Sequence, residues 1–358
     1  MAFNFPPGPN YTETETKIFL AADIVELAAN SLLACPISTI NFILILKTSI
    51  LHPNLKLILL CQSLCIFIRG IGRIILNIAR LYLNDYGTHG PSLLSALYMQ
   101  PIYFRNCLMH VLIIERIIAT FKSKNYEKHR SNLFFLCWLT MTAIIGYLNS
   151  LSSSNYIISF SILFALVSLG ILEIWALFWI LDHNKRIYER KLLEGRHELS
   201  ERYQLSENIR TAKQLIPCIL MHFVCIIIPG INNIVVYFNL YSGKFISDFV
   251  WQCLFTTITI GSFLIEFFMI IYHPFLKRDL LRMFHSFRSV IHCRIFASSR
   301  VVQDPVYNEP SILPATRTRR KTLAALQPMD INGKPLIEDG KKEDLGGAYF
   351  KQLAMSWE

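Results

Sequence analysis

Charge is the scarcest commodity in this chain. Of its 358 residues 17% are charged and 53% hydrophobic, with a mean hydropathy of +0.39. An ordinary soluble domain carries about 25% charged residues, and no soluble core hides this much apolar surface. Motifs of catalysis are missing as well: no HExxH, no GxSxG and no glycine-rich phosphate loop, which leaves an enzyme reading without support. Nine cysteines are present, yet none forms a CxxC pair or a zinc spacing. Eight of them (Cys35, Cys61, Cys65, Cys107, Cys137, Cys218, Cys225, Cys253) fall inside apolar blocks. There cysteine acts as a small buried hydrophobe, and no secreted disulfide framework appears. Residues 1–17 are polar and proline-containing and lack the basic start of a cleavable signal peptide.

What is present is seven apolar blocks of membrane-crossing length, at 18–46, 57–81, 97–121, 132–151, 156–181, 215–237 and 246–272. Between the fifth and sixth lies the one long charged island, 182–214, with Lys185, Arg186, Arg190, Lys191, Arg196, Arg202, Arg210 and Lys213. Loops with that bias stay in the cytoplasm, which sets the amino terminus outside and the carboxyl terminus inside. The other basic residues agree. Lys47, Lys56, Lys122, Lys124, Lys128 and Arg130 fall on the same side as the island, and Lys17, Arg80 and Lys244 on the other. The net charge of +10 and pI near 9.1 are therefore loops facing anionic lipid, and not a nucleic-acid footprint. Asn10-Tyr11-Thr12 is a glycosylation sequon on the outer tail.

After the seventh block, Leu276, Leu280, Met283 and Phe284 share one helical face with Lys277, Arg278 and Arg282 turned elsewhere, an amphipathic helix lying on the inner membrane surface over 273–297. Cys293 on it is a palmitoylation candidate or an ordinary thiol. From 298 to 358 the chain is polar and proline-rich with a basic run, Arg317 to Lys321, and reads as a disordered cytoplasmic tail. The expected fold is thus an all-α membrane protein, a seven-transmembrane helix bundle with its amino terminus outside.

Three stretches then carry a resemblance: Ile114-Glu115-Arg116-Ile117-Ile118-Ala119-Thr120 closing the third block, Tyr203-Gln204-Leu205-Ser206-Glu207-Asn208 in the island, and Tyr272-His273-Pro274-Phe275 closing the seventh. Together they resemble the nematode serpentine receptor class epsilon family of G-protein-coupled chemoreceptors. The resemblance implies a small-molecule ligand, a heterotrimeric G protein as partner, no cofactor, and a place in the plasma membrane of sensory neurons. It also implies a latch in which Arg116 pairs with Glu115 at rest and is freed on activation. The alternative is that Arg116 snorkels to the inner lipid surface. Rhodopsin-like receptors differ: the short segment 152–155 holds no cysteine, and Tyr-His-Pro-Phe replaces Asn-Pro-x-x-Tyr.

Ionisable residues inside membrane spans cost about 2.5–3.5 kcal/mol each, so they face the bundle interior and mark pairing or function. Arg69, Arg73 and Arg80 share a stripe, Arg69 lying about 18 Å deep. They bind an anionic ligand group or pair with Asp23 and Glu26; Arg105 is a further ligand-cavity candidate. Glu173 and Glu266 point inward with no partner visible, and His110 and His222 read as satisfied core histidines. Pro229-Gly230 in the sixth block offers a hinge or a plain kink. Tyr203, Gln204, Glu207 and Asn208 either contact a G protein or belong to a solvated extension in which Tyr188, Leu192, Leu199 and Tyr203 repeat at helical spacing. The rival function is a seven-span ligand-gated channel or transporter. No internal repeat, no filter-like loop and no matching pair of broken spans supports it, and odorant channels of the insect type take the inverse orientation.

Overall fold

Long apolar runs without water to bond their backbone have one local solution, the helix. The computed structural model describes residues 10–48, 51–86, 88, 90–121, 132–151, 156–194 and 199–297. Among these 92% are helical and none lies in a strand. The elements are α1 (Glu13–Ala28), a π-helical segment (Ala29–Ala34), α2 (Cys35–Lys47), α3 (Pro53–Leu83), α4 (Ser92–Phe121), α5 (Asn132–Leu151), α6 (Tyr156–Glu194), α7 (Leu199–Tyr237), α8 (Lys244–Tyr272) and α9 (Pro274–Ala297). Counting α1 through α2 as one crossing gives seven transmembrane helices, with α9 the expected short helix after the seventh. Five of the seven contain spans long and apolar enough by composition to cross a bilayer. Of the other two, α4 carries Arg105, Glu115 and Arg116, and α5, at 20 residues, is about 30 Å long.

Several boundaries differ from the sequence reading. The first helix starts at Glu13 and not at 18, because Thr12 caps it: its hydroxyl accepts from the Glu15 amide while the Glu15 carboxylate accepts from the Thr12 amide. Its middle widens to a π-turn. Pro36 has no N–H to give the carbonyl four residues back, and the Cys35 amide reaches five residues back to Asn30. Within 182–214 the expected helical extension is present. Both flanking helices run on through the island, each 39 residues or about 58 Å long. Tyr188 of α6 packs there on Leu205 and Ile209 of α7. Leu199 and Tyr203 consequently belong to α7, and residues 195–198 lie outside the described residues, as does the expected tail at 298–358.

The apolar core sits toward the end that carries the basic loops, here termed the inner end. It is built from residues such as Ile45 (α2), Ile58 (α3), Leu112 (α4), Leu215 (α7) and Met269 (α8), and Leu276 of α9 is fully buried in it. Toward the outer end the buried positions are largely polar. Lipid-facing positions stay apolar, above all on α6, where Phe164, Leu172 and Trp175 are exposed.

α7 stays α-helical through Pro217 and Pro229. At Gly230 a Cβ atom meets Leu163 of α6, with Cδ1 at 2.7 Å and Cδ2 at 2.9 Å. The glycine therefore sets how closely α6 and α7 approach at their outer ends. Gly230→Ala is expected to lower the melting temperature of the purified protein by overpacking, about 1–3 kcal/mol, and Leu163→Ala in the same chain is expected to restore part of it. An unchanged melting temperature contradicts the close packing.

Candidate functional site

A continuous buried polar spine joins α1 through α2, α3, α4 and α8. Side chains three, four and seven apart on α3 point the same way, so Arg80, Asn77, Arg73 and Arg69 face the first helix and α8 as one row. Gly70 lets α3 close on the π-turn: a Cβ there sits 2.5 Å from the Cys35 sulfur. Outermost, Arg80 donates to Asp23 at 3.1 Å, to Gln252 at 3.0 Å and to the Thr88 carbonyl. One layer deeper, Arg73 holds Glu26 through two nitrogens, one at 2.7 Å, with both side chains fully buried. Asn77 at 3.2 Å and Gln252 at 2.7 Å also donate to Glu26. The Arg73 guanidinium lies over the rings of Phe255, at 4.2 Å, and Tyr98, at 5.0 Å.

At the next level Arg69 donates to Thr259 Oγ1 at 3.0 Å and to the Phe255 carbonyl at 2.9 Å, and Thr259 bonds Asn30 of the π-turn at 3.3 Å. Arg105 of α4 donates to Ser262 at 2.5 Å. Innermost, Glu266 accepts from Asn41 and from Ser63, the latter at 3.0 and 3.1 Å. Of the two alternatives left open for the arginine stripe, pairing with Asp23 and Glu26 is seen for two members, Arg73 with Glu26 and Arg80 with Asp23. Arg69 and Arg105 make no ion pair among the described residues.

Across the bundle His110 of α4 meets Glu173 of α6, a partner that sequence spacing did not show. His222 departs from the expected satisfied histidine. It is 3% exposed, and neither ring nitrogen has a hydrogen-bond partner among the described residues.

A second cluster closes the inner end. Arg116 is bonded by two nitrogens to its neighbour Glu115, at 2.5 and 2.7 Å, and both are buried. Just below, α6 and α7 both grip α4: Asn184 donates to Thr120 at 3.2 Å and Asn208 to the Ala119 carbonyl at 3.4 Å. Glu207 accepts from Arg210 at 2.9 Å and faces His273 at 3.7 Å, so the residue before Pro274 ties α7 to the α8–α9 corner. Arg210 and Arg278 lie over the Phe275 ring from two helices. Farther up, Gln214 donates to the Met269 carbonyl at 2.7 Å. Asn184 and Gln214 were missed from sequence, since a lone amide on a long helix gives no periodic signal. Tyr203 and Gln204 lie on α7 and Cys293 on α9, but their side chains are outside the described residues.

At the outer mouth Asn10 is exposed. Tyr11 beside it stacks on Phe19 and donates to Asp248 at 2.7 Å. Burial, and then the bond to Asp248, push its phenol above the usual tyrosine range, so it stays a neutral donor. Among the described residues no group of three His, Cys, Asp or Glu side chains is placed to hold a metal.

Residues 11–250 match the family profile described as "Serpentine type 7TM GPCR receptor class ab chemoreceptor". Two curated relatives come from Caenorhabditis elegans. "Serpentine receptor class alpha/beta-14" is 33% identical over 141 residues, covering 34% of this chain and 36% of that protein. "Probable G-protein coupled receptor F27E5.8" is 26% identical over 211 residues, covering 50% of this chain and 55% of that protein. The chain thus spans between about a third and about half of those relatives' lengths. The match corrects the expected class: the profile is class ab, and nothing in these similarities supports class epsilon.

Proposed function

Because the chain belongs to the serpentine 7TM receptor class ab chemoreceptor family, we propose that it is a plasma-membrane chemosensory receptor of sensory neurons, switching between two bundle arrangements to govern a heterotrimeric G protein. A small chemical cue enters from the outer end and favours the arrangement in which the inner end opens. Such a switch requires two sites and two states whose free energies the ligand shifts. The observation that carries this reading is the closed inner end: Arg116 is engaged by Glu115 while Asn184 and Asn208 clasp α4 from both sides. Outward swing of α7 breaks the Asn208 contact and exposes Arg116 with Glu207 and Asn208 beside it, and Tyr203 and Gln204 follow on the same helix. Pro229 supplies the pivot, where a ring replaces a backbone donor.

The test is basal coupling. Each clasp is one ordinary hydrogen bond, worth about 1 kcal/mol, so Asn208→Ala or Asn184→Ala is expected to raise ligand-independent G-protein activation about fivefold at equal surface expression. Basal activity at the wild-type level in both variants removes the clasp from the mechanism. A fluorescent fusion in sensory neurons followed by calcium imaging against an odorant panel tests the reading as a whole; it fails if the protein never reaches the cell surface.

Orientation is checked separately through Asn10. An outside amino terminus makes Asn10→Gln run faster on gels and abolishes a glycosidase-sensitive shift. A glycan-free wild type whose Tyr203 is labelled from outside intact cells reverses the topology, and with it the receptor reading.

A further inference from the structure

Two opposite charges in the deep part of the polar spine are held one helical turn apart. Arg105 of α4 donates to Ser262 of α8 at 2.5 Å, while its Nε has no hydrogen-bond partner among the described residues. Glu266 stands four residues further along α8, on the same face and about 6 Å along the axis. It is fully buried, and its oxygens accept from Ser63 of α3, at 3.0 and 3.1 Å, and from Asn41 of α2. Asn41 also donates to Ser63 at 3.4 Å, so the carboxylate is gripped from two helices at once. Each charge is thus bonded to neutral groups. Arg80 and Arg73 are already taken by Asp23 and Glu26. Arg69 bonds Thr259 and the Phe255 carbonyl, at least seven residues or about 10 Å up α8 from Glu266, which leaves Arg105 the nearer guanidinium.

Away from water, a guanidinium joined to a carboxylate makes a stronger bond than either group makes with a neutral partner. The two charges balance each other, so no outside ion is called for. What keeps them apart is the hold of Ser63 and Asn41 on one and of Ser262 on the other. α4 packs chiefly on α3, α5 and α6, and α8 chiefly on α7 and the first crossing. Arg105 therefore crosses between helices that are not each other's main neighbours, and a small sliding of one past the other changes which rung of α8 it meets. We propose that Arg105 and Glu266 form an interchange: apart, they hold the present bundle arrangement, and in the second arrangement Arg105 exchanges Ser262 for Glu266, which releases α2 and α3. The inference rests on the two-arrangement receptor reading above, but its first test uses no G protein.

Melting temperatures are measured on the full-length protein in lipid nanodiscs, with Glu266→Gln made in the wild type and in a Ser63→Ala/Ser262→Ala background that lacks both hydroxyl holders. In the wild type Glu266→Gln is expected to melt no lower, since an amide still bonds Ser63 and Asn41 and no ion pair is lost. In the double background Arg105 reaches Glu266, so the same substitution is expected to lower the melting temperature by several degrees, and Arg105→Gln added to it to lower it no further. If the double background does not fold, Ser262→Ala alone takes its place. A Glu266→Gln that melts lower or fails to fold in the wild type overturns the proposal, because the carboxylate is then already needed as a charge at rest. No loss in the double background overturns it too, as does a further loss with Arg105→Gln. Basal G-protein activation per surface copy is the second reading. Ser262→Ala removes one hydrogen bond from the resting side and is expected to raise it about fivefold, and Glu266→Gln added to it is expected to cancel the rise. A rise that survives Glu266→Gln, or no rise where the wild type couples normally, overturns the interchange as the switch. The melting contrast in a protein that turns over no G protein leaves the interchange standing and removes the receptor reading instead.

Discussion

Glu26→Ala is expected to strip the protein from the cell surface. The substitution leaves Arg73 buried in the bundle without its carboxylate, and it deprives Asn77 and Gln252 of the same acceptor. Removing one partner of a buried ion pair costs about 3–5 kcal/mol, a large fraction of the stability of most folded domains. Arg73→Ala is expected to be less harmful, because the stranded Glu26 carboxyl can take up a proton and keeps Asn77 and Gln252 beside it, and Glu26→Gln less harmful too, because an amide oxygen still accepts from Arg73. The double reversal Glu26→Arg with Arg73→Glu is expected to recover part of the loss, since the two groups then meet again with signs exchanged. Surface biotinylation and the melting temperature in detergent give the readings. Wild-type surface levels for Glu26→Ala, or no recovery in the double reversal beyond either single one, contradict a pair that holds the first crossing to α3. The geometry also says why the effect exceeds that of a surface pair such as Lys17–Glu13, whose groups remain in water and contribute little.

Arg116→Ala is expected to do the opposite: abolish signalling while the protein still reaches the surface. Its carboxylate partner is the adjacent residue, so the pair closes within one helix and joins no two elements together. Loss of Arg116 leaves Glu115 buried without its guanidinium, a cost that protonation of the carboxyl relieves. The coupling function has no such substitute if the proposed latch operates, since the latch offers the freed guanidinium to the G protein. G-protein activation at saturating stimulus, normalised to surface copies, is expected to fall to background. Signalling at the wild-type level eliminates the latch and leaves Arg116 a membrane anchor. Together the two variants separate a pair that builds the bundle from a pair that the bundle uses.

The class of fold, the number of crossings and the helix after the seventh were legible in the chain because each rests on a local property: a run of apolar residues long enough for a bilayer, or an apolar face on a basic helix. The island left two readings open, a loop and a helical extension, because charge does not distinguish a loop from a helix that has outgrown the membrane. Tyr188 against Leu205 and Ile209 decides for the helix. The Thr12–Glu15 capping box has a spacing that was open to reading but was not read, and it moves the start of the first helix to Glu13.

Sequence by itself determined that Asp23, Glu26, Arg69, Arg73, Arg80 and Arg105 had to face inward, because lipid tolerates none of them. Which of them pair was decided by the tertiary structure, since partners such as Arg73 and Glu26 stand 47 positions apart and no periodicity spans such a distance. The same packing paired His110 with Glu173 and left His222 and the Arg105 Nε without a hydrogen-bond partner among the described residues. Burial is a property of one helix face, whereas pairing is a property of how several helices meet.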